Sequence, residues 1–262
     1  MKTTATYSLS RHRFPARKRP RNHNLEEQAQ ALYKSWFVDF EPFRNDAFVD
    51  SELGMIPICL KTTKISDLAH TIESGKRPKG GIVEVDNGVP SIGAENIKGL
   101  GFYDFSKTKY VSEEFASSMK KGIIKGHELL IYKDGGKPGY FIPNYSIFGE
   151  GFPYDHMTVN EHVFILDFYD YGYNAFAYFF FQTDVVMNYL NAQGGKAAIP
   201  GINRNDIESI TIFSPDNEYV ERFGKQVSPI VNSILKRCAE NRELSIIRDS
   251  LLPKLLSGKL TC

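Results

Sequence analysis

Cysteine is scarce in this sequence and shows no motif. The three cysteines, Cys59, Cys238 and Cys262, lie far apart, and none belongs to a C-x-x-C pair, the spacing that zinc and redox sites use. We therefore expect neither a structural zinc site nor a disulfide scaffold. Few and scattered cysteines are typical of a reducing compartment, so the expected location is cytoplasmic.

Long hydrophobic runs are also missing. The most apolar stretch, residues 176–190, is interrupted by Gln182, Asp184 and Asn188, whereas a membrane-spanning helix needs about 18 or more uncharged residues. The first residues lack the apolar segment of a signal peptide. We predict a buried core helix at 176–190, no membrane contact and no export.

Enzyme motifs are absent as well. The sequence contains no G-x-S-x-G, H-E-x-x-H, G-x-x-x-x-G-K-[ST] or N-P-P-[FY] pattern, and such patterns place nucleophiles, metal ligands, phosphate loops or a flipped adenine. His156 and His162 lie near acids but lack a spacing typical of metal sites. We predict no catalytic residue, no metal and no cofactor of the chain's own.

Positive charge is distributed unevenly. The formal net charge of +1 includes seven Lys or Arg and no acid in residues 1–21, which leaves 25 Lys or Arg against 31 acids elsewhere. Residues 1–23 are predicted to be a basic disordered arm, either a nucleic-acid contact or a remnant of cloning or truncation. Residues 138–195 contain no Lys or Arg, so a nucleic-acid surface is expected outside them. An endonuclease site among Asp155, Glu161 and Asp167 is the weaker alternative, because this stretch has no lysine.

Apolar patterning divides residues 24–213 into two parts. Residues 24–50 are predicted to be a short helix, N-capped by Asn24 and ending before Pro42, followed by an aromatic linker. Residues 51–213 are predicted to be one compact α/β or α+β domain, in which glycine turns separate short strands. Its predicted elements are strands at 129–132, 159–166 and 207–213, and helices at 113–121 and 175–190.

Residues 214–262 are predicted to be helical and to need a partner. Ser214 suits an N-cap and Pro215 the first helical position, while Pro229 is expected to divide the segment into two helices. Apolar positions in this segment follow the spacing of a coiled coil. This apolar stripe either folds back on the preceding domain or, as the length of the second helix favours, contacts another chain.

Several segments resemble the specificity subunits of type I restriction-modification systems. The resemblance rests on residues 25–42, with the sequence LEEQAQALYKSWFVDFEP, on 51–57, 74–78, 90–97 and 129–139, and on 240–258. Ile58-Cys59-Leu60 departs from the family, which has Gly-Trp at that place. Family members have two target-recognition domains and two long helices that pair antiparallel. This sequence has one of each and looks like a C-terminal half.

The resemblance implies a non-catalytic subunit that binds double-stranded DNA and recognises one half of a bipartite site. The implied partners are a methylation subunit and a restriction subunit, which in this family use S-adenosylmethionine, ATP and Mg²⁺, together with a second copy of the chain or another specificity half. The alternative is an assembly half that only dimerises or competes for the methyltransferase without reading DNA.

Two sets of residues are candidates for these contacts. Base reading needs side chains with paired donors or acceptors on loops, and cations nearby hold phosphates. The candidate DNA-binding residues are Lys76, Arg77, Lys79, Asn96, Lys133, Lys137, Gln193, Lys196, Asn203, Arg204 and Asn205. The candidate residues of a dimer or partner interface are Trp36, Phe37, Phe40, Val220, Phe223, Val227, Ile230, Ile234, Asn241, Leu244, Ile247 and Leu251.

Overall fold

The computed structural model describes residues 22–79, 88–137, 139–195 and 200–257. The helices are α1 (Asn22–Phe37), α2 (Glu113–Ser118), α3 (Tyr171–Phe180), α4 (Asp184–Gly194), α5 (Arg204–Glu208) and α6 (Glu218–Leu256). The strands are β1 (Phe48–Ser51), β2 (Gly54–Pro57), β3 (Thr62–Lys64), β4 (Thr71–Ser74), β5 (Val89–Ile92), β6 (Lys109–Val111), β7 (Ile123–Ile124), β8 (Leu129–Tyr132), β9 (Gly136–Lys137), β10 (Tyr140–Phe141), β11 (Asn144–Ile147), β12 (Met157–Val159), β13 (Val163–Asp167) and β14 (Thr211–Phe213). The arm predicted at residues 1–23 lies almost entirely outside the described residues.

The first four-stranded sheet has the order β11-β8-β13-β4 and is antiparallel throughout. Its central strands, β8 and β13, are apolar runs with nearly all side chains buried, which is typical of strands covered on both faces. Ile131 of β8 faces Phe164 of β13, which in turn faces Ser74 of β4. This register places the ends of β4 and β8 and the start of β13 at one edge of the sheet.

The second four-stranded sheet has the order β6-β5-β12-β7 and combines a parallel pair, β5 with β12, with two antiparallel pairs. Residues 160–162 connect β12 directly to β13, so one short turn links the two sheets. Two-stranded ladders join β1 to β2, β3 to β14 and β9 to β10. Mixed strand pairing with packed helices and a long terminal helix confirms the predicted α/β (α+β) class.

An aromatic cluster joins α1, α3 and α6. The ring centroid of Phe223 lies 5.5 Å from those of Tyr33 and Phe37. α3 and α6 meet where Gly172 faces Gly224, and a Cβ atom on Gly224 would lie 2.8 Å from the carbonyl carbon of Gly172. Glycine is required at this contact because a side chain would push the two helices apart.

The predicted interface stripe is mostly part of this core. Six of its residues are buried within the chain: Phe37, Phe40, Val220, Phe223, Val227 and Ile234. Trp36 and Ile230 pack against the same core. For the six buried residues the prediction of contact with another chain is therefore wrong, because other parts of the same chain cover them. Only the distal part of the stripe, Asn241, Leu244, Ile247 and Leu251, is exposed.

α6 is one continuous helix, so the predicted break at Pro229 is wrong. Pro229 lies on the exposed face, where water can replace the N–H that proline lacks as a hydrogen-bond donor to the helix carbonyl. Buried Val227 and Val231 hold the helix against the domain on either side of it. The predicted N-cap is also wrong, because Asn217 rather than Ser214 accepts from the Tyr219 backbone N–H at 2.9 Å.

An aromatic clamp, formed by Phe105 and Tyr154 around Arg242, fixes α6 beyond its buried part. The guanidinium carbon of Arg242 lies 4.4 Å from the ring centroid of Phe105 and 4.2 Å from that of Tyr154. Arg242 also donates a hydrogen bond to the carbonyl of Pro153. Beyond the clamp, the large apolar side chains from Leu244 to Leu256 are exposed.

Several element boundaries differ from the predicted ones. Asn24 lies inside α1, where its side chain accepts from Gln28 at 2.7 Å. The helix predicted at 175–190 is two helices, α3 and α4, which residues 181–183 separate. Ile207 lies in α5 rather than in a strand, and the strand predicted at 159–166 is interrupted by residues 160–162. None of the helices in the described ranges is long and apolar enough to cross a membrane.

Candidate nucleic-acid interface

Three loops meet at the edge of the first sheet described above. They are residues 75–79 after β4, residues 133–135 after β8, and the turn 160–162 before β13; we call them the loop edge. The Gly75 N–H donates to the Asn160 carbonyl at 3.3 Å, and the Lys133 N–H donates to the His162 carbonyl at 3.1 Å. Backbone bonds therefore hold the three loops in fixed relative positions.

The loop edge contains a network in which acidic side chains contact Arg77 and His162. The Arg77 Nε lies 3.1 Å from Glu161 Oε1, and the same oxygen lies 3.3 Å from His162 Nε2. The other ring nitrogen of His162, Nδ1, lies 2.7 Å from Asp134 Oδ2. These four side chains are 35–40% exposed, so the network is open to a ligand.

Glu95 extends the network toward the second sheet. Its Oε1 lies 2.7 Å from Lys109 Nζ. Burial opposes ionisation of this carboxyl, but the hydrogen bond from Lys109 and the charge of Arg77 prevail and lower its pKa. The pKa of the Tyr132 hydroxyl is raised by burial and by the nearby charges of Asp134 and Glu95. Two acids of the loop edge, Asp134 and Glu161, and the adjacent Glu95 thus lie close to its cations.

The cations themselves differ in how they are held. Lys76 and Lys79 are exposed. The Lys133 Nζ lies 4.7 Å from the ring centroid of Phe164, and its backbone carbonyl accepts from Ile202 N–H at 2.8 Å. This last bond brings the segment that leads into α5 next to the loop edge.

Three other predicted residues lie on that segment and α5. Asn203 caps α5 by accepting from the Asn205 N–H at 2.8 Å and the Asp206 N–H at 3.2 Å. The Arg204 Nε pairs with Glu208 at 2.8 Å. Asn203, Arg204 and Asn205 are all exposed, so they are accessible even though two of them have structural contacts.

Asn96 does not meet the requirements of a base reader. Only 1% of its surface is exposed, and its Oδ1 accepts from the Gly93 N–H at 2.9 Å. The side chain closes the 3₁₀ turn Ala94–Asn96 and does not project from the surface. The expectation that Asn96 contacts DNA is corrected for this reason.

The structure describes the remaining predicted DNA-binding residues only in part. Gln193 is half-buried near the end of α4. The side chain of Lys137 and the whole of Lys196 lie outside the described part of the chain. Lys137 itself belongs to β9, which pairs with β10, and β10 packs on α4.

Sequence reasoning missed Glu161 and His162 as members of the loop edge. They belong to the stretch without Lys or Arg, which was expected to lie away from a nucleic-acid surface. Antiparallel pairing of β13 with β4 brings Glu161 to Arg77, 84 positions earlier in the chain. Charge segregation along the sequence is therefore not segregation in space.

Metal binding finds no support at this edge. Among the residues that the structure describes, no group of three or more His, Cys, Asp or Glu side chains could hold a metal ion. The acids of the network instead contact Arg77, Lys109 and His162.

Two curated proteins similar to this chain are specificity subunits of type I restriction enzymes. The MjaIX specificity subunit of Methanocaldococcus jannaschii is 24% identical over 246 residues, covering 93% of this chain and 54% of that protein. The HindI specificity subunit of Haemophilus influenzae is 27% identical over 288 residues, covering 91% of this chain and 62% of that protein. The resemblance seen in the sequence is confirmed, and the chain spans little more than half the length of these curated relatives. No family model matches the sequence.

Solved structures give the same kind of match at lower identity. The type I restriction-modification S subunit from M. genitalium is 14% identical with a TM-score of 0.49, covering 89% of this chain and 54% of that one. The HsdS subunit from Thermoanaerobacter tengcongensis is 16% identical with a TM-score of 0.39, covering 91% of this chain and 52% of that one.

Proposed function

We propose that this chain is a specificity subunit that reads one half of a bipartite DNA site. It directs adenine methylation, and restriction, by partner methylation and restriction subunits that carry S-adenosylmethionine, ATP and Mg²⁺, and it catalyses nothing itself. The observation that carries the proposal is similarity to type I specificity subunits along more than 90% of the chain. A function on chromosomal DNA is also consistent with the expected cytoplasmic location.

The loop edge has the properties that DNA reading requires. Two of its loops, 133–135 and 160–162, are three residues long, and backbone hydrogen bonds hold them and Gly75 in place beside a buried sheet, so the side chains on these two loops have defined positions. Exposed Lys76 and Lys79 are suited to phosphates, and Arg77 has the fork that recognises guanine. Asn203 and Asn205 lie on the adjoining segment and have the amide group that suits adenine.

One observation favours the assembly half as a second candidate. Asp134 and Glu161 lie in the loop edge and Glu95 lies beside it; Glu161 pairs with Arg77, and Glu95 pairs with Lys109 of β6. Carboxylates at a DNA surface repel phosphates and weaken non-specific binding. An assembly half would keep its methyltransferase partner and show no sequence preference.

Reconstitution with the cognate methylation subunit tests the proposal. We expect methylated adenines in a genome at one defined sequence, and loss of that pattern in the triple variant Lys76→Ala, Arg77→Ala, Lys79→Ala. Each lost phosphate contact should reduce the slope of log affinity against log salt by about 0.9. A matched triple variant on exposed α6 positions, Lys225→Ala, Arg237→Ala and Arg248→Ala, removes the same charge. Methylation without sequence preference in the parent complex would support the assembly half instead.

We also propose that the exposed distal face of α6 pairs with a second copy or with another specificity half. Its apolar members include Leu244, Ile247 and Leu251, and a fully buried side chain of this kind contributes about 1.5–3 kcal/mol. A twofold pair of identical domains reads the same half-site on each strand, so a homodimer specifies an interrupted palindrome.

Light scattering and methylome motifs test the pairing. The double variant Ile247→Asp, Leu251→Asp should convert a dimer to a monomer with unchanged secondary structure. Ile234→Asp is unsuitable, because Ile234 is buried in the chain's own core. A monomeric parent in the presence of the methylation subunit, or a motif with two unrelated halves, would exclude the homodimer.

A further inference from the structure

The contact between Arg77 and Glu161 occupies only one side of the guanidinium group. Glu161 Oε1 lies 3.1 Å from Nε, and an arginine carries four further N–H donors on its two terminal nitrogens. Among the described residues, Glu161 is the acid that forms an ion pair with Arg77. Because the carboxylate contacts Nε, the two terminal nitrogens of Arg77, which form a fork of N–H donors, are available to a ligand with two acceptors.

Glu161 is itself held firmly. It lies in the turn between β12 and β13, where the Asn160 N–H donates to the Ile92 carbonyl at 2.9 Å. The Asn160 side chain accepts from the His162 N–H, also at 2.9 Å. His162 Nε2 then contacts the same carboxylate oxygen as Arg77 does. A turn fixed by both sheets therefore positions the carboxylate that orients Arg77.

The charge around Arg77 argues against a simple phosphate contact. Glu161 and Asp134 lie in the same network, and their charges repel a phosphate. Lys76 and Lys79, on the same loop and exposed, are the better phosphate ligands. A guanine edge is neutral and offers O6 and N7 as paired acceptors to an arginine fork, so nearby carboxylates do not penalise it in the same way.

We propose that Arg77 is a specificity-determining residue that reads one guanine in the major groove, and that Glu161 is the positioning residue that holds its fork. This inference rests on the proposed function, because it requires that the chain reads DNA. It assigns one base of the half-site to one side chain and gives the acids of the loop edge a role in recognition.

Selection from a pool of randomised duplexes, with the complex of this chain and its methylation subunit, tests the inference. Arg77→Ala should lower the preference for guanine at one position by about 5- to 150-fold, the discrimination of one bidentate pair. Glu161→Ala should relax the same position. Glu161→Gln should keep most of the preference, because an amide oxygen still accepts from Nε, while it strengthens non-specific binding by removing a negative charge.

Two control variants separate this role from a general charge effect. Lys79→Ala should reduce the salt slope by about 0.9 and leave the base preference unchanged. Asp155→Asn removes one negative charge at an exposed position before β12, at the opposite end of that strand from Glu161, and should not change the preference at the guanine position.

The outcomes are distinguishable. A parent complex with no sequence preference overturns the proposed function and this inference together. A parent that reads a defined sequence, with Arg77→Ala reducing only the salt slope, overturns this inference alone and makes Arg77 a phosphate contact. An effect of Glu161→Ala equal to that of Asp155→Asn removes the positioning role of Glu161.

Discussion

The substitution Phe223→Ala tests whether Phe223 is a residue of the chain's own core or of an interface with another chain. Spacing alone predicted that Phe223 contacts another chain, but its side chain is fully buried against α1 and α3. Its ring centroid lies 5.5 Å from that of Phe37 and 5.9 Å from those of Phe176 and Phe179. We expect truncation to lower the free energy of unfolding by about 3–5 kcal/mol, the usual cost of emptying a buried aromatic site.

Urea unfolding followed by circular dichroism at two protein concentrations measures this loss. Because the cavity forms within one chain, the loss should be independent of concentration. The control is Met55→Ala in β2, where the side chain is 52% exposed, and its loss should stay below about 0.5 kcal/mol. A Phe223→Ala loss below about 1 kcal/mol, or one that vanishes as concentration rises, would refute the assignment of Phe223 to the core.

Three further variants test other parts of the fold. Gly224→Ala should lower the free energy of unfolding in urea by about 1–3 kcal/mol, because its Cβ would lie 2.8 Å from the Gly172 carbonyl carbon. An unchanged urea midpoint would mean that α3 and α6 can move apart without cost. Pro229→Ala should stabilise by about 1–3 kcal/mol, because it restores the helix bond to the Lys225 carbonyl; a loss of stability would show that the helix needs its proline. Burial lowers the pKa of His127, although the charge of Glu150 opposes this. The unfolded chain therefore binds more protons than the folded one, and the free energy of unfolding falls as pH drops below about 6.5. His127→Asn, which tolerates the left-handed backbone at φ 71°, should lose less stability than the parent between pH 7 and pH 5; parallel curves would contradict this.

The fold was predictable where the sequence signal is local. Residues 129–132 form an uninterrupted apolar run and became β8, the centre of the first sheet. Helical structure after residue 214 was also predicted, but as two helices rather than one, because the cost of an interior proline depends on where its released carbonyl points. Periodicity likewise shows that one face of a helix is apolar and says nothing about which element covers it. Only the structure shows that α1 and α3 cover the first half.

The candidate site was predictable as a set of loops and not as a network. The glycine-flanked cations after β4 and β8 could be found from the sequence. Glu161 could not, because its contact with Arg77 depends on the register of β13 against β4. Asn96 was misassigned because an asparagine in a glycine-flanked turn has the same sequence signature whether it caps the turn or faces a ligand.

The position of Trp36 provides an optical probe that requires no labelling. It is the only tryptophan in the sequence, and its ring centroid lies 6.0 Å from that of Tyr219 on α6, with the Arg222 guanidinium 5.6 Å away. The emission of this indole therefore reports the contact between α1 and α6. Separation of the two helices would expose the ring to water and shift its emission to longer wavelengths, while changes confined to the distal half of α6 would leave the spectrum as it is.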